Sequence, residues 1–142
     1  MKKKKYIYSV PMKVRDYECD IQGVVNNANY QHYMEHARHE FWEALGSGFA
    51  EMHDQGLDAF VRSVNITYKT ALRPGDKFDS CLNCRKDGAK LVFDQGIVRE
   101  DGTVCAVGVV EAVAVLNGQI TRGEHFDALM DIIHNQFPED AE

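Results

Sequence analysis

The sequence lacks the long apolar runs and the excess of basic charge that mark two broad classes of protein. No stretch of its 142 residues approaches the ~18 consecutive apolar residues of a membrane-spanning helix. With 16 basic and 22 acidic residues, the formal net charge is -6, which disfavours binding to nucleic acid through its phosphates. No apolar run of signal-peptide length follows the first lysines. We therefore expect a cytoplasmic protein that binds neither membrane nor nucleic acid.

Two common site motifs are also missing. The sequence has neither the G-x-x-x-x-G-K-[ST] loop that cradles nucleotide phosphates nor the G-x-S-x-G turn of serine hydrolases. Its 4 cysteines are expected to be reduced thiols in the cytoplasm. Cys81 and Cys84 lie three residues apart in a strand-like run and therefore face opposite ways, so we expect no metal site there.

The length and composition indicate one globular domain, residues 1–142. Single hydrophobic cores usually run to ~100 to 150 residues, and 44% hydrophobic with 27% charged residues is ordinary for such a domain. A subunit of this size encloses a deep active site only at a high cost. A functional site formed between two subunits is therefore expected.

Residues 60–116 have the pattern of an antiparallel sheet with tight turns between its strands. Phe60, Val64, Ile66 and Tyr68 alternate with other side chains, which predicts a first strand that carries these four on its buried face. The last strand, Val104 to Leu116, is apolar on both faces and is expected to lie centrally or to be covered on its second face. The turn signals are Arg73-Pro74-Gly75-Asp76, Lys86-Asp87-Gly88, Glu100-Asp101-Gly102 and Asn117-Gly118.

The first half predicts one strand, Tyr6 to Arg15, followed by a long amphipathic helix. Apolar residues recur at helical spacing from Tyr30 to Leu45, with Asn26 or Asn27 as the N-cap and Gly46 as the stop. At ~1.5 Å per residue, the expected helix of ~19 residues is nearly 30 Å long, which is comparable with the length of the strands in the sheet.

A shorter apolar run, Phe126 to Ile133, predicts a terminal helix that ends near Pro138. The expected fold class is thus α+β, with a long central helix wrapped by a five-stranded antiparallel sheet and a short C-terminal helix.

One coincidence on the long helix suggests a metal site. His32, Glu35 and His36 fit H-x-x-E-H, and His39 lies close by on the same helical face, so zinc binding is geometrically feasible. We favour the simpler interpretation that these are polar-face residues and expect no metal. Glu35 is expected to be structural, with a role in positioning water or substrate left open.

The richest chemistry precedes the helix. Asp20 stands seven residues before Asn27, and Gly23 allows a tight turn between them. A helix N-terminus carries unpaired N–H groups and a partial positive charge. The Asn27 and Ala28 N–H groups are therefore candidates to polarise a carbonyl, and Asp20 is a candidate base or nucleophile. The alternative is that Asp20 only caps the helix or orders a turn.

The same stretch resembles the active-site signature of the 4-hydroxybenzoyl-CoA thioesterase family of hotdog-fold acyl-CoA thioesterases. The helix continuation Tyr33–Arg38, the strand residue Tyr68 and the turn Arg73–Asp76 are similar to the family pattern too, and the likeness covers residues 6–122. The signature positions are Val14, Cys19, Asp20, Gly23, Val24, Val25 and Tyr30.

The resemblance implies hydrolysis of acyl-CoA by a hotdog domain that needs no metal or organic cofactor. It makes Asp20, Asn27 and Ala28 the catalytic positions and implies a homodimer or homotetramer with sites shared between subunits. Asn27 departs from the family, whose bacterial members often have His there, so Asp20 would act without an imidazole. Implied substrate-binding residues are Gly23, Val24, Val25 and Tyr30; candidates for the CoA phosphates are Lys69, Arg73, Arg85, Lys86 and Lys90.

Two other functions remain open at this point. The domain could bind acyl-CoA without hydrolysing it, which the missing histidine favours. It could instead hydrolyse thioesters of acyl carrier protein, although two acidic proteins dock poorly.

Overall fold

The structure is a computed structural model that describes residues 6–46, 53–54 and 56–137. The predicted helix end at Pro138 lies outside these residues. The elements in chain order are β1 (Tyr8–Lys13), a 3-10 turn (Asp16–Glu18), α1 (Asn27–Leu45), β2 (Leu57–Tyr68), β3 (Lys77–Asp87), β4 (Lys90–Arg99), β5 (Val104–Leu116), β6 (Gln119–Ile120) and α2 (His125–Gln136).

All strand pairs in the sheet are antiparallel, and the strand order is β1-β3-β4-β5-β2, with β6 paired to β5. Val104 to Leu116 was expected to lie centrally or to be covered on its second face, and the first alternative holds, because β5 runs between β4 and β2. The sheet has a sixth strand, the two-residue β6, that the five-stranded prediction did not include. Within the described residues, β1 and β2 are the edge strands.

A β-bulge in β2 overturns one prediction about its faces. Val61 pairs with Ala112 and Ser63 with Glu111, so Arg62 is an extra residue between them. An extra residue moves every side chain before it to the opposite face. Phe60 therefore faces away from Val64 and is 55% exposed, and the prediction that the two share a buried face is wrong.

Helix α1 covers the sheet with the apolar stripe that its sequence predicts. Asn26 is the N-cap and Gly46, with φ of 89°, ends the helix. The helix packs on β1, β3 and β4 and reaches β5 at Gly108, where a Cβ would lie 2.9 Å from Met34 Sδ. The buried helix residues are Tyr30, Tyr33, Met34, Ala37, Arg38, Phe41 and Leu45.

Helix α2 extends the same hydrophobic core. Phe126, Leu129 and Ile133 are buried against Phe41 and Leu82. One long helix across an antiparallel sheet, with a short second helix beside it, is the hotdog arrangement that the resemblance implies. In the part of the chain that the structure describes, neither helix has the length and apolarity needed to cross a membrane.

Candidate active site

A small hairpin carries Asp20. The Asp20 N–H donates to Val24 O (2.9 Å), and Gly23 N–H donates to Asp20 O (2.9 Å). Gly23, with φ of 78°, occupies the left-handed position of a three-residue hairpin loop, where glycine is favoured. The carboxylate of the half-buried Asp20 also accepts from Gln22 N–H (2.9 Å), so Asp20 does order its own turn.

The start of α1 leaves one backbone donor open. The Ala28 N–H donates to Asn26 Oδ1 (2.9 Å), and the Asn29 N–H donates to Asn26 O (2.9 Å). The Asn26 N–H donates to Glu18 O (3.0 Å). Among the described residues, no acceptor is bound to the Asn27 N–H, and Asn27 is exposed. Of the first donors of the helix, Asn27 is therefore the one available to a ligand.

The hairpin connects Asp20 to the start of the helix. Cys19 bridges Val25, and Glu18 pairs with Asn26, so the two arms of the hairpin run side by side into the helix. Asp20 lies two residues, or ~7 Å of extended chain, beyond Glu18, and Asn27 directly follows Asn26. Asp20 thus lies in the hairpin that leads directly into this helix N-terminus.

Two expectations about neighbouring residues need correction. The Ala28 N–H was expected to be free, but the Asn26 side chain caps it, so it is not available to a substrate carbonyl. Val25 and Tyr30 are buried instead of open to a ligand. They hold the connection after β2, because Val25 N–H donates to Leu72 O (2.9 Å) and Leu72 N–H donates to Tyr30 Oη (3.0 Å).

Tyr68 borders the same surface. It is the last residue of β2 and 46% exposed, and its hydroxyl donates to Asn27 O (3.4 Å). Its ring lies edge-on to Tyr30, with centroids 5.3 Å apart. A side chain in this position can contact a ligand that reaches the start of the helix.

The basic residues divide into two groups. Lys69 and Arg73 follow β2 on the Tyr68 side, and neither belongs to an ion pair of the described residues. Arg85, Lys86 and Lys90 flank the β3–β4 turn, at the opposite end of the sheet. These three are paired with the carboxylates of Asp94, Asp127 and Glu111. Within the described residues, these three are therefore both distant from the start of α1 and already paired.

The histidines on α1 do not gather around one point. His32 Nδ1 lies 3.2 Å from Asn29 Oδ1, and His39 Nε2 lies 3.8 Å from a Glu35 oxygen. Residues 6–46, 53–54 and 56–137 contain no group of three or more His, Cys, Asp or Glu side chains arranged to hold a metal ion. Glu35 is exposed and contacts His39.

Glu18 makes contacts at the start of α1 that the sequence did not single out. Its carboxylate accepts from Arg15 N–H (2.9 Å) and from the Tyr33 hydroxyl (2.8 Å). Burial, followed by this contact with Glu18, raises the pKa of the Tyr33 phenol, so Tyr33 remains a donor at neutral pH. Arginine, which stands at position 15, is not a capping residue type, and the Tyr33 contact spans 15 residues, so no local motif pointed to Glu18.

The family follows from a profile comparison over most of the chain. A family model described as the thioesterase-like superfamily matches residues 14–132. The chain therefore belongs to the thioesterase-like superfamily, in agreement with its hotdog fold.

Individual relatives are consistent with this assignment. Acyl-acyl carrier protein thioesterase ATL3, chloroplastic, of Arabidopsis thaliana is 39% identical over 95 residues, covering 65% of this chain and 49% of that protein. A putative esterase of Aquifex aeolicus is 32% identical over 109 residues, covering 76% of this chain and 84% of that protein. The solved structure of the probable thioesterase YbaW from Escherichia coli matches with TM-score 0.76 and 25% identity, covering 89% of this chain and 98% of that one.

The chain spans about half the length of the two Arabidopsis proteins that it matches.

Proposed function

We propose that this protein hydrolyses acyl-CoA thioesters to a free acid and CoA at the surface shared by Asp20 and Asn27. The observation that carries the proposal is the open Asn27 N–H at the start of α1, into which the hairpin of the half-buried Asp20 leads. Thioester hydrolysis requires a donor for the carbonyl oxygen and a base, and the superfamily membership points to the same reaction.

In the proposed reaction, the thioester carbonyl oxygen accepts from the Asn27 N–H, which stabilises the charge that develops there. Asp20 removes a proton from water as the water oxygen attacks the carbonyl carbon. The carbon–sulfur bond then breaks, and the thiolate leaves and takes up a proton. Direct attack by Asp20, through an acyl-aspartyl intermediate that water hydrolyses, uses the same two groups. Neither route requires a metal or organic cofactor.

Lys69 and Arg73 are the proposed contacts for the CoA phosphates. They are the candidates on the Tyr68 side of the sheet, and their charges are not neutralised by ion pairs within the described residues. Cationic side chains at the mouth of the site suit a substrate that carries several phosphate charges.

We also propose that the working form is a homodimer or a homotetramer in which β2 forms the subunit contact. This twelve-residue strand pairs on one side with β5, and on its helix-facing side Val61 is 47% and Tyr68 46% exposed. A long apolar edge strand readily pairs with another strand. A partner at this edge would cover these side chains and complete a pocket for the acyl chain between the subunits.

A thioester of acyl carrier protein is the second candidate substrate, because ATL3 and ATL2 of Arabidopsis carry that activity in their names. The acidic net charge of -6 works against an acidic carrier, which is why CoA thioesters come first. The cytoplasmic location stays a prediction, since both Arabidopsis relatives are named as chloroplastic.

Thiol release from matched acyl-CoA and acyl-carrier-protein thioesters, with aryl, short, medium and long acyl groups, tests the proposal. We expect turnover with at least one CoA thioester and a lower kcat/KM for the same acyl group on the carrier. Faster turnover on the carrier would favour the second candidate. Binding of acyl-CoA without turnover of any thioester would contradict hydrolysis and favour a binding module.

A further inference from the structure

Glu18 joins the Asp20 hairpin to α1 through both its backbone and its side chain. Its carbonyl oxygen accepts from the Asn26 N–H (3.0 Å) and from Asn29 Nδ2 (2.7 Å). Its Oε1 accepts from the Arg15 N–H (2.9 Å) and from the Tyr33 hydroxyl (2.8 Å). Four donors, one from Arg15 and three from the start of α1, thus converge on one residue.

The side chain of Glu18 is only 11% exposed, although it carries a carboxylate. Removing a carboxylate from water is costly unless hydrogen bonds replace the lost hydration. Tyr33 and Arg15 supply those bonds, with the Arg15 Nε 3.8 Å from the second oxygen. Hydrogen bonds to an ionised acceptor are also stronger than neutral ones, so the contact restrains the hairpin tightly.

These contacts lie between the two groups proposed to act on the thioester. Asp20 is two residues beyond Glu18, and Asn27 follows the Asn26 that Glu18 binds. Tyr33 is itself fixed, because it is buried on α1 with its ring 4.7 Å from that of Phe78. A shift of the hairpin relative to α1 would change the separation of carboxylate and N–H directly.

We propose that Glu18, held by Tyr33, is a positioning residue that sets the Asp20 carboxylate against the Asn27 N–H. The proposal rests on the proposed function of Asp20. We call the contact between the Glu18 carboxylate and the Tyr33 hydroxyl the clamp. A displacement of about 1 Å between reacting groups can lower the rate ~10²-fold, so loss of the clamp should lower kcat more than it raises KM.

Tyr33→Phe is the central test, because it removes the hydroxyl that Glu18 accepts from and keeps the ring. Tyr8→Phe is the matched control: it also removes one hydroxyl contact to α1, the 3.3 Å bond to Glu40 O, at the far end of the helix. We expect kcat to fall about 10-fold or more in Tyr33→Phe, with KM within about 3-fold, and to stay near wild type in Tyr8→Phe. Equal kcat values for the two variants would overturn the proposal.

Substitutions of Glu18 provide a rescue test. Gln keeps an oxygen that accepts from Arg15 and Tyr33, so Glu18→Gln should retain most of the wild-type kcat. Glu18→Ala removes the acceptor and should lose about 10²-fold in kcat. A full kcat in Glu18→Ala would contradict the proposal. Asp20→Asn, measured on the same thioester, separates the proposed function of Asp20 from the positioning role of Glu18. If Asp20→Asn is inactive and Glu18→Ala is fully active, only the positioning role is contradicted.

Amide hydrogen exchange supplies a readout that needs no turnover. In Tyr33→Phe, exchange of the Asp20 and Asn26 N–H groups should become at least several-fold faster, since both belong to the hairpin that Glu18 restrains. In Tyr8→Phe these two N–H groups should exchange as in the wild type. Unchanged exchange in Tyr33→Phe would overturn the clamp even if activity were lost.

Discussion

At the scale of single residues, Asn26 determines which donor of the first helical turn stays open. Its side chain binds the Ala28 N–H and its carbonyl binds the Asn29 N–H, which leaves the Asn27 N–H. From the sequence, either Asn26 or Asn27 could be the cap, and the N–H groups of Asn27 and Ala28 were both expected to be free. The choice could not be predicted, because both asparagines are good caps and only the pairing of Asn26 with Glu18 distinguishes them.

Substitution of the N-cap residue Asn26 tests how much the cap contributes to the free energy of unfolding. Asn26→Ala should lower the free energy of unfolding by about 1 kcal/mol, because the Ala28 N–H loses its acceptor, whereas Asn26→Asp should remain close to wild type. Urea denaturation with unchanged m-values measures the difference. An Asn26→Ala protein as stable as the wild type would show that the cap contributes little.

Gly23 provides a second test at this scale, with Gly118 as its matched control. Both have positive φ, of 78° and 87°, and a Cβ at either position would meet no atom within 4 Å. An alanine at either site should therefore cost about 1 to 2 kcal/mol through backbone strain alone. Denaturation should show similar losses for both variants, but kcat should fall only in Gly23→Ala. A parallel loss of kcat in Gly118→Ala would show that lost stability, and not the Asp20 turn, lowers activity.

At the scale of elements, a buried polar contact ties α1 to the middle of the sheet. Arg38 is 7% exposed and donates to Gln95 Oε1 (2.8 Å), while Gln95 Nε2 donates to Met34 O (3.0 Å). Burial lowers the pKa of the Arg38 guanidinium, an effect that the nearby Glu35 opposes. Hydrophobic periodicity predicted the helix and β4 but not this contact, since the pattern does not show which polar side chains are buried.

A double-mutant cycle measures this contact. Gln95→Leu should destabilise the protein by about 2 to 3 kcal/mol, because it leaves a buried guanidinium without its acceptor. Arg38→Met in the Gln95→Leu background should recover part of that loss, since no buried charge remains. Additive losses in the double variant would contradict direct coupling of the two side chains.

At the scale of the whole molecule, turn signals and one helical stripe were enough to predict the fold class. The central place of β5 followed from its two apolar faces. The bulge at Arg62 could not be predicted, because a single extra residue leaves no mark in an alternating pattern, and the face of Phe60 was therefore wrong. The motif supplied Asp20 and Asn27, which stay predicted site residues, whereas the contacts of Glu18 with Asn29 and Tyr33 join residues distant in sequence and leave no local pattern.

The subunit contact proposed for β2 is tested at this scale. Val61→Lys replaces an apolar side chain, 47% exposed on the helix-facing side of β2, with a charged one. Thr67→Lys is the control and places a charge on the opposite, exposed face of the same strand. Light scattering after size exclusion should show dissociation of Val61→Lys, with loss of activity, and a wild-type mass for Thr67→Lys. A wild-type protein that is monomeric and fully active would contradict a shared site.

Replacement of the Asp20 carboxylate by an amide tests the central claim most directly. Asn can still accept from the Gln22 N–H, so Asp20→Asn preserves the turn and removes only the base. The matched control is Asp16→Asn, which changes an exposed carboxylate in the adjacent 3-10 turn. The measurement is kcat/KM for thiol release from the preferred thioester. We predict a fall of about 10²- to 10⁴-fold for Asp20→Asn and none for Asp16→Asn, and equal rates for wild type and Asp20→Asn would contradict the account.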